Sequence, residues 1–249
     1  MTRTPPTNHN ASEPGTAPPT PGESGPLVTG PLAHLPNALT VLRLILAIGF
    51  FVVLSAYRFP DQNAWALPIG ALLFTIAAVT DALDGYLARR WRVITVFGRI
   101  FDPFADKFLV LGAFILLAGP MFASTVHGAD APRQVSGVHP WMVIAILSRE
   151  LLVTTIRGAC ESRGVDFSAT FSGKLKMIVQ SVAVPLILVS VALVERASTG
   201  ENGGFTGLAT FVGYVLPTIA WIVVLVTIWS AIPYTVRGLQ ALKTSSPQA

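Results

Sequence analysis

Four aspartates stand where an apolar chain can least tolerate charge. Asp81 and Asp84 close one long hydrophobic run, and Asp102 and Asp106 open the next, within the stretch DALDGYLARRWRVITVFGRIFDPFADKF. On a helix, residues three or four apart share a face, so each pair of carboxylates points one way. Two helices joined by a short basic loop then aim all four at one point. Unpaired, they repel one another and are costly to keep near hydrocarbon. Hard divalent cations with oxygen ligands, Mg2+ or Mn2+, resolve that conflict. Two such ions clamp a diphosphate and stabilise the charge that builds as its bridging bond breaks. Asp81, Asp84 and Asp102 are the candidate metal ligands. Asp106 can be a further ligand, a general base on an attacking hydroxyl, or both in turn, and the residues leave these roles open.

The neighbours of the aspartates leave room for a ligand. Gly85 lets a ligand approach the helix backbone closely, Ala88 keeps the same face small, and Arg89 can pair with phosphate bidentately. Thr95 offers a hydroxyl in the connecting loop, or is a plain loop threonine. Gly98 permits close packing where the third helix begins. Pro103 suits a first helical turn, so Asp102 also reads as a helix N-cap. Arg90 and Arg92 read as side chains reaching to lipid headgroups.

The elements that position these residues are membrane helices. Only 12% of the 249 residues are charged, about half the share that coats a soluble domain, and the apolar residues come in blocks of about twenty, enough to cross a bilayer. The expectation is an all-α integral membrane protein with apolar runs near 37–57, 64–86, 99–122, 138–160, 174–194 and 205–234. The sixth is long enough to tilt, or to break near Pro217. Residues 1–31, rich in Pro, Thr, Gly and Ser, read as a disordered tail, and no apolar segment follows a basic start there to mark a cleaved signal peptide. Residues 32–240 then form the catalytic domain and 241–249 a short C-terminal tail. The lone Cys160 excludes an internal disulfide. The net charge of +4 suits an anionic membrane face or a phosphate ligand better than nucleic acid. Arg89, Arg90, Arg92, Arg163, Lys174, Lys176, Arg237 and Lys243 fall on one side of the membrane. The other holds Arg58, Arg133 and Arg196 among Asp61, Asp130, Glu195 and Glu201. The positive-inside rule places both termini and the aspartates in the cytoplasm.

Further charges lie inside the apolar runs. Asn37, Thr40 and Arg43 recur at helical spacing on the first helix, a strip that cannot face lipid. It reads either as a nucleotide or diphosphate contact, or as an Asn37 cap with a snorkelling Arg43. The fourth run holds Arg149, Glu150 and Arg157. Arg149 needs a partner or a wet cavity, and Glu150 reads as a counter-charge to a neighbouring helix. Arg149 and Arg157, facing roughly the same way, join Lys107, Lys174 and Lys176 as candidates for a cationic pocket that holds an anionic acceptor, most simply a phosphate monoester.

The pattern Asp81-x2-Asp84-Gly85-x2-Ala88-Arg89-x8-Gly98-x3-Asp102-x3-Asp106 resembles the signature of the CDP-alcohol phosphatidyltransferases. The segments PNALTVLR, DPFADK, SRELLVTTIR and GKLKMIVQ are similar to the branch that makes phosphatidylglycerophosphate, with Met177 a departure where that branch commonly has Thr. The resemblance implies a six-helix membrane bundle and a homodimer. It implies that Asp81, Asp84 and Asp102 hold metal, that Asp106 is the general base, and that Gly85, Ala88 and Arg89 bind CDP. The reaction implied is transfer of a phosphatidyl group from CDP-diacylglycerol to glycerol 3-phosphate, with release of CMP. Sister branches that make cardiolipin or phosphatidylinositol phosphate share much of the pattern, so phosphatidylglycerol and inositol phosphate are the alternative acceptors. A divalent-cation transporter also places carboxylates in a membrane bundle. Such sites lie near the midplane on broken helices, however, not at two helix ends on one side.

Overall fold

The computed structural model describes residues 35–60, 63–91, 96–124, 133–163, 171–199 and 206–244. Long apolar segments with no water to satisfy their backbone must bond internally. Among the described residues the chain accordingly forms six α-helices: α1 (Leu35–Ser55), α2 (Ala66–Trp91), α3 (Val96–Leu117), α4 (Pro140–Glu161), α5 (Phe171–Thr199) and α6 (Thr206–Thr244). Four carry stretches long and apolar enough to span a membrane: Ala38–Ser55, Ala66–Tyr86, Phe171–Arg196 and Phe211–Gly238. In α3 the continuous apolar segment is only Lys107–Leu117, because the first half of the helix carries Arg99, Asp102 and Asp106. In α4, Arg149, Glu150 and Arg157 interrupt the run.

The helices close into a ring in which α1 meets α2, α2 meets α5, α5 meets α6, α6 meets α4, and α3 bridges back to α1 with lighter contact to α4. Phe50, Leu54, Phe74, Phe114, Ile146, Ile187, Leu188 and Val223 fill the interior. The ring of Phe50 meets Phe74 edge-on at 5.6 Å, and Phe51 meets Phe108 at 5.1 Å, which locks α1 against both α2 and α3. The outer faces are apolar as well, with Ile45, Leu72, Ile115, Ile144, Val182 and Leu225 all exposed. Water cannot tolerate a patch of that extent, and lipid can. This is an all-α membrane protein.

Short connections close the end of the bundle away from the aspartates. The Asn63 amide donates to the Ala56 carbonyl at 2.9 Å, capping the end of α1. A 3-10 turn (Pro120–Phe122) and two paired strands, β1 (Ala123–Ser124) and β2 (Arg133–Gln134), follow α3. Gly137, at φ +71°, lies so close to α6 that a Cβ there would sit 2.7 Å from the Leu216 carbonyl carbon, so the turn needs a residue without a side chain. Tyr57 donates to Glu195 Oε1 at 3.0 Å. Burial, then the charge and hydrogen bond of Glu195, push the Tyr57 hydroxyl far above the usual phenol range, so it remains a donor.

Two expectations are corrected. The α6 helix is not broken near Pro217 and continues through both Pro217 and Pro233. A proline removes only one ladder bond, which neighbouring groups in a membrane bundle offset, and here the Thr218 hydroxyl adds a bond to the Tyr214 carbonyl at 2.9 Å. Asp102 is not an N-cap either, since α3 starts at Val96 and Pro103 lies inside it.

Candidate active site

The start of α1 lies against the end of α2, because the two form an antiparallel pair. Thr40 and Arg43 turn inward and are buried, as a polar strip on a membrane helix must. Arg43 is fully enclosed, at 0% exposure, so it does not snorkel. Its Nη1 lies 2.5 Å from Asp81 Oδ1, and its Nη2 donates to Asp84 Oδ2. One guanidinium thus gathers the two carboxylates that α2 presents at i and i+3. Asp84 is buried, while the Asp81 side chain keeps 32% of its surface open. Gly85 follows on the same helix, half-buried.

The other motif residues are placed by backbone alone. Asn37 lies in the first turn of α1, Ala88 and Arg89 near the end of α2, and Gly98, Asp102 and Asp106 at successive turns of α3, along one face. Their side chains lie outside the described residues, as does all of Thr95. Among the described residues no three acidic, His or Cys side chains converge on one point. The donor set nonetheless fits a hard divalent ion. Asp81 and Asp84 offer only oxygen and already converge on one cation. Metal would lower the charge on a bound diphosphate.

A second charged cluster joins α4 and α5. Arg149 Nη1 donates to Glu150 Oε1 at 3.1 Å, and Lys176 Nζ donates to the same oxygen. Arg149 is 8% exposed, and its guanidinium sits 5.6 Å from the centre of the Tyr234 ring of α6. Its Nε and Nη2 are buried without hydrogen-bond partners. Gly173 makes the arrangement possible, since a Cβ there would lie 2.6 Å from the Tyr234 hydroxyl. A small cavity lined by Val110, Glu150, Lys176, Gln180 and Ser181 adjoins the cluster.

Of the five cations expected to form one pocket, the structure brings together Arg149 and Lys176. Arg157 is exposed and paired with Glu161 at 2.8 Å, because eight residues along a helix turn its side chain about 80° from Arg149. Lys174 is exposed, and Lys107 donates to Thr154 Oγ1 at 2.5 Å. Glu150 serves as a counter-charge to α5, as its place in the apolar run implied. Sequence reasoning missed Tyr234, one of several aromatics in the sixth apolar run. It also missed Gln180, which donates to Thr227 Oγ1 at 3.2 Å. The four-residue spacing of Lys176 and Gln180 was the available signal for the latter.

Buried acidic and basic clusters on a ring of membrane helices suit a membrane protein that handles charged groups at a lipid surface. The family model for CDP-alcohol phosphatidyltransferases matches residues 33–232, and the chain belongs to that family of phosphatidyltransferase enzymes. It is similar to a CDP-diacylglycerol–glycerol-3-phosphate 3-phosphatidyltransferase of Bacillus subtilis, 33% identical over 86% of this chain and 99% of the relative. The enzyme of the same name from Salmonella paratyphi A is 37% identical over 62% of this chain and 76% of its own. A probable phosphatidylglycerophosphate synthase of Mycobacterium tuberculosis is 36% identical, over 65% and 68%.

Proposed function

We propose that the chain transfers the phosphatidyl group of CDP-diacylglycerol to glycerol 3-phosphate, giving phosphatidylglycerophosphate and CMP. The observation that carries a phosphate-bearing acceptor is Arg149, a buried guanidinium with two unfilled donor nitrogens beside Lys176, and the relatives' names favour glycerol 3-phosphate among such acceptors. A phosphate monoester fills such donors. The names of the relatives support the same reaction.

In this reading Asp81, Asp84, Asp102 and Asp106 hold two divalent cations, Mg2+ or Mn2+. Bound there, the ions neutralise the diphosphate and the leaving CMP. Asn37, Thr40, Gly85, Ala88, Arg89 and Thr95 receive the nucleotide, with Gly85 letting it approach the α2 backbone. Arg149 and Lys176 hold the acceptor phosphate. The acceptor hydroxyl oxygen bonds to the phosphorus that bears diacylglycerol, the bond from that phosphorus to the oxygen of CMP breaks, and Asp106 takes the hydroxyl proton. The enzyme sits in the cell membrane with the aspartates and both termini in the cytoplasm, in agreement with the basic residues of that side, and works as a homodimer, as the family resemblance implies.

The test is CMP release by purified protein from CDP-diacylglycerol with Mg2+ or Mn2+, offering glycerol 3-phosphate, inositol phosphate or phosphatidylglycerol separately. Release with glycerol 3-phosphate alone is expected. Release with either other acceptor instead overturns the acceptor, and no metal-dependent release with any overturns the reaction.

A further inference from the structure

Arg43 poses a question that the transfer reaction does not answer. The carboxylates expected to hold metal already hold a cation. That cation is a guanidinium, which keeps its charge at every accessible pH, and it is supplied from another helix and completely buried. Its grip is incomplete. Nη2 makes a hydrogen bond to Asp84, Nη1 reaches Asp81 at 2.5 Å without hydrogen-bond geometry, and Nε has no acceptor. A buried pair so arranged is held by charge more than by directed bonds, and the guanidinium can be drawn off by a competitor that satisfies the carboxylates better.

We propose that Arg43 is the internal counter-cation of the carboxylate site. It contacts Asp81 and Asp84, and a divalent cation that takes the same oxygens competes with it. The inference rests on the metal reading of the site given above. Two carboxylates on one helix face, one of them buried, repel each other, and a cation between them keeps the α2 end formed. The same cation competes with metal for the same oxygens. A doubly charged ion that takes Asp81 Oδ1 and Asp84 Oδ2 displaces the guanidinium from them, and one that takes the other two oxygens is still repelled by it. Arg43 therefore preforms the site and at the same time weakens its hold on metal. The role is one of positioning, exerted through the aspartates, and it requires no contact with substrate.

Mn2+ binding to the purified full chain in detergent, read from the electron paramagnetic resonance signal of free Mn2+, tests this directly, with thermal unfolding measured on the same samples. Arg43→Gln, which removes the charge, is expected to bind Mn2+ at least tenfold more tightly than wild type. Metal-free it melts at a lower temperature, and saturating Mn2+ closes that gap. Arg43→Lys keeps a charge but loses the fork that spans two carboxylates, so its affinity falls between the two, and it guards against a Gln variant too unstable to purify. Binding to either variant no tighter than to wild type overturns the counter-cation role while leaving the metal site intact. No Mn2+ uptake by wild type and by either variant overturns the metal reading itself, and this inference with it.

Discussion

Substituting Glu150 by Gln removes the carboxylate that Arg149 and Lys176 share and changes almost nothing in size. The Arg149–Glu150 distance of 3.1 Å gives a Coulomb attraction of about 5 kcal/mol at an effective dielectric near 20. Both side chains are at least nine-tenths buried, so little water is available to replace that attraction. Among the described residues no other carboxylate contacts Arg149. Breaking a buried pair from one side costs about 3–5 kcal/mol, a fifth or more of the net stability of about 5–15 kcal/mol typical of a folded protein. The assay is thermal and denaturant unfolding of wild type, Glu150→Gln, Arg149→Met and the double variant in one detergent, combined as a double-mutant cycle. The double variant is expected to recover part of the loss, because it no longer strands a buried guanidinium. Glycerol 3-phosphate is expected to stabilise Glu150→Gln more than wild type, since the phosphate supplies the missing negative charge. The reasoning fails if Glu150→Gln stays within about 0.5 kcal/mol of wild type, or if the two substitutions simply add.

Gly173→Ala places a methyl group 2.6 Å from the Tyr234 hydroxyl, and the overpacking is expected to cost about 1–3 kcal/mol. Adding Tyr234→Phe removes the clashing oxygen and restores the melting temperature, unless the two helices are held apart by something else. Asp106→Asn keeps the size and removes the basicity, so the turnover of CDP-diacylglycerol and glycerol 3-phosphate is expected to fall about 10²–10⁴-fold. Retention of most of the activity rules out Asp106 as the base.

Apolar runs in the sequence locate all six helices because lipid forces both apolarity and helical bonding on the same residues. They locate the helix ends poorly on the side of the aspartates. The second run stops at residue 86, yet α2 continues to Trp91, with Arg90 donating to the Tyr86 hydroxyl at 2.9 Å one turn back. The third run starts at residue 99 and α3 at Val96. Apolarity marks where hydrocarbon ends, and helical hydrogen bonding has no reason to stop there. Within the site, spacing alone puts Thr40 and Arg43 on one strip, and the structure decides that Arg43 turns inward instead of snorkelling. Which carboxylates receive Arg43 is decided by the pairing of α1 with α2, a long-range fact without a local signal. The same limit applies to Tyr234, which becomes part of the Arg149 cluster only because α6 packs against both α4 and α5. Arg157 fails to join Arg149 for a reason that spacing did contain, the 80° offset of residues eight apart.

The two buried clusters differ from the ion pair of a purely structural core in a common way. At Arg43 one guanidinium faces two carboxylates, and at Glu150 one carboxylate faces two cations. A pair kept only for stability gains from matched charges and filled hydrogen bonds, because each unfilled buried group carries its full desolvation penalty. Arg43 and Arg149 both retain buried nitrogens that no hydrogen bond fills, and apolar side chains of similar size would hold the helices at less cost. Among the described residues the charges in each cluster are unequal, which suits a further cation near the aspartates and an anion at Arg149. The signs are those that a diphosphate carried on metal and a phosphate-bearing acceptor require, with α5 and α6 holding the two partners in one bundle. The test of that logic is reciprocal. Neutralising Arg43 should tighten binding of the cation, neutralising Glu150 should tighten binding of the anion, and a protein in which both changes weaken their ligands has clusters that serve the fold alone.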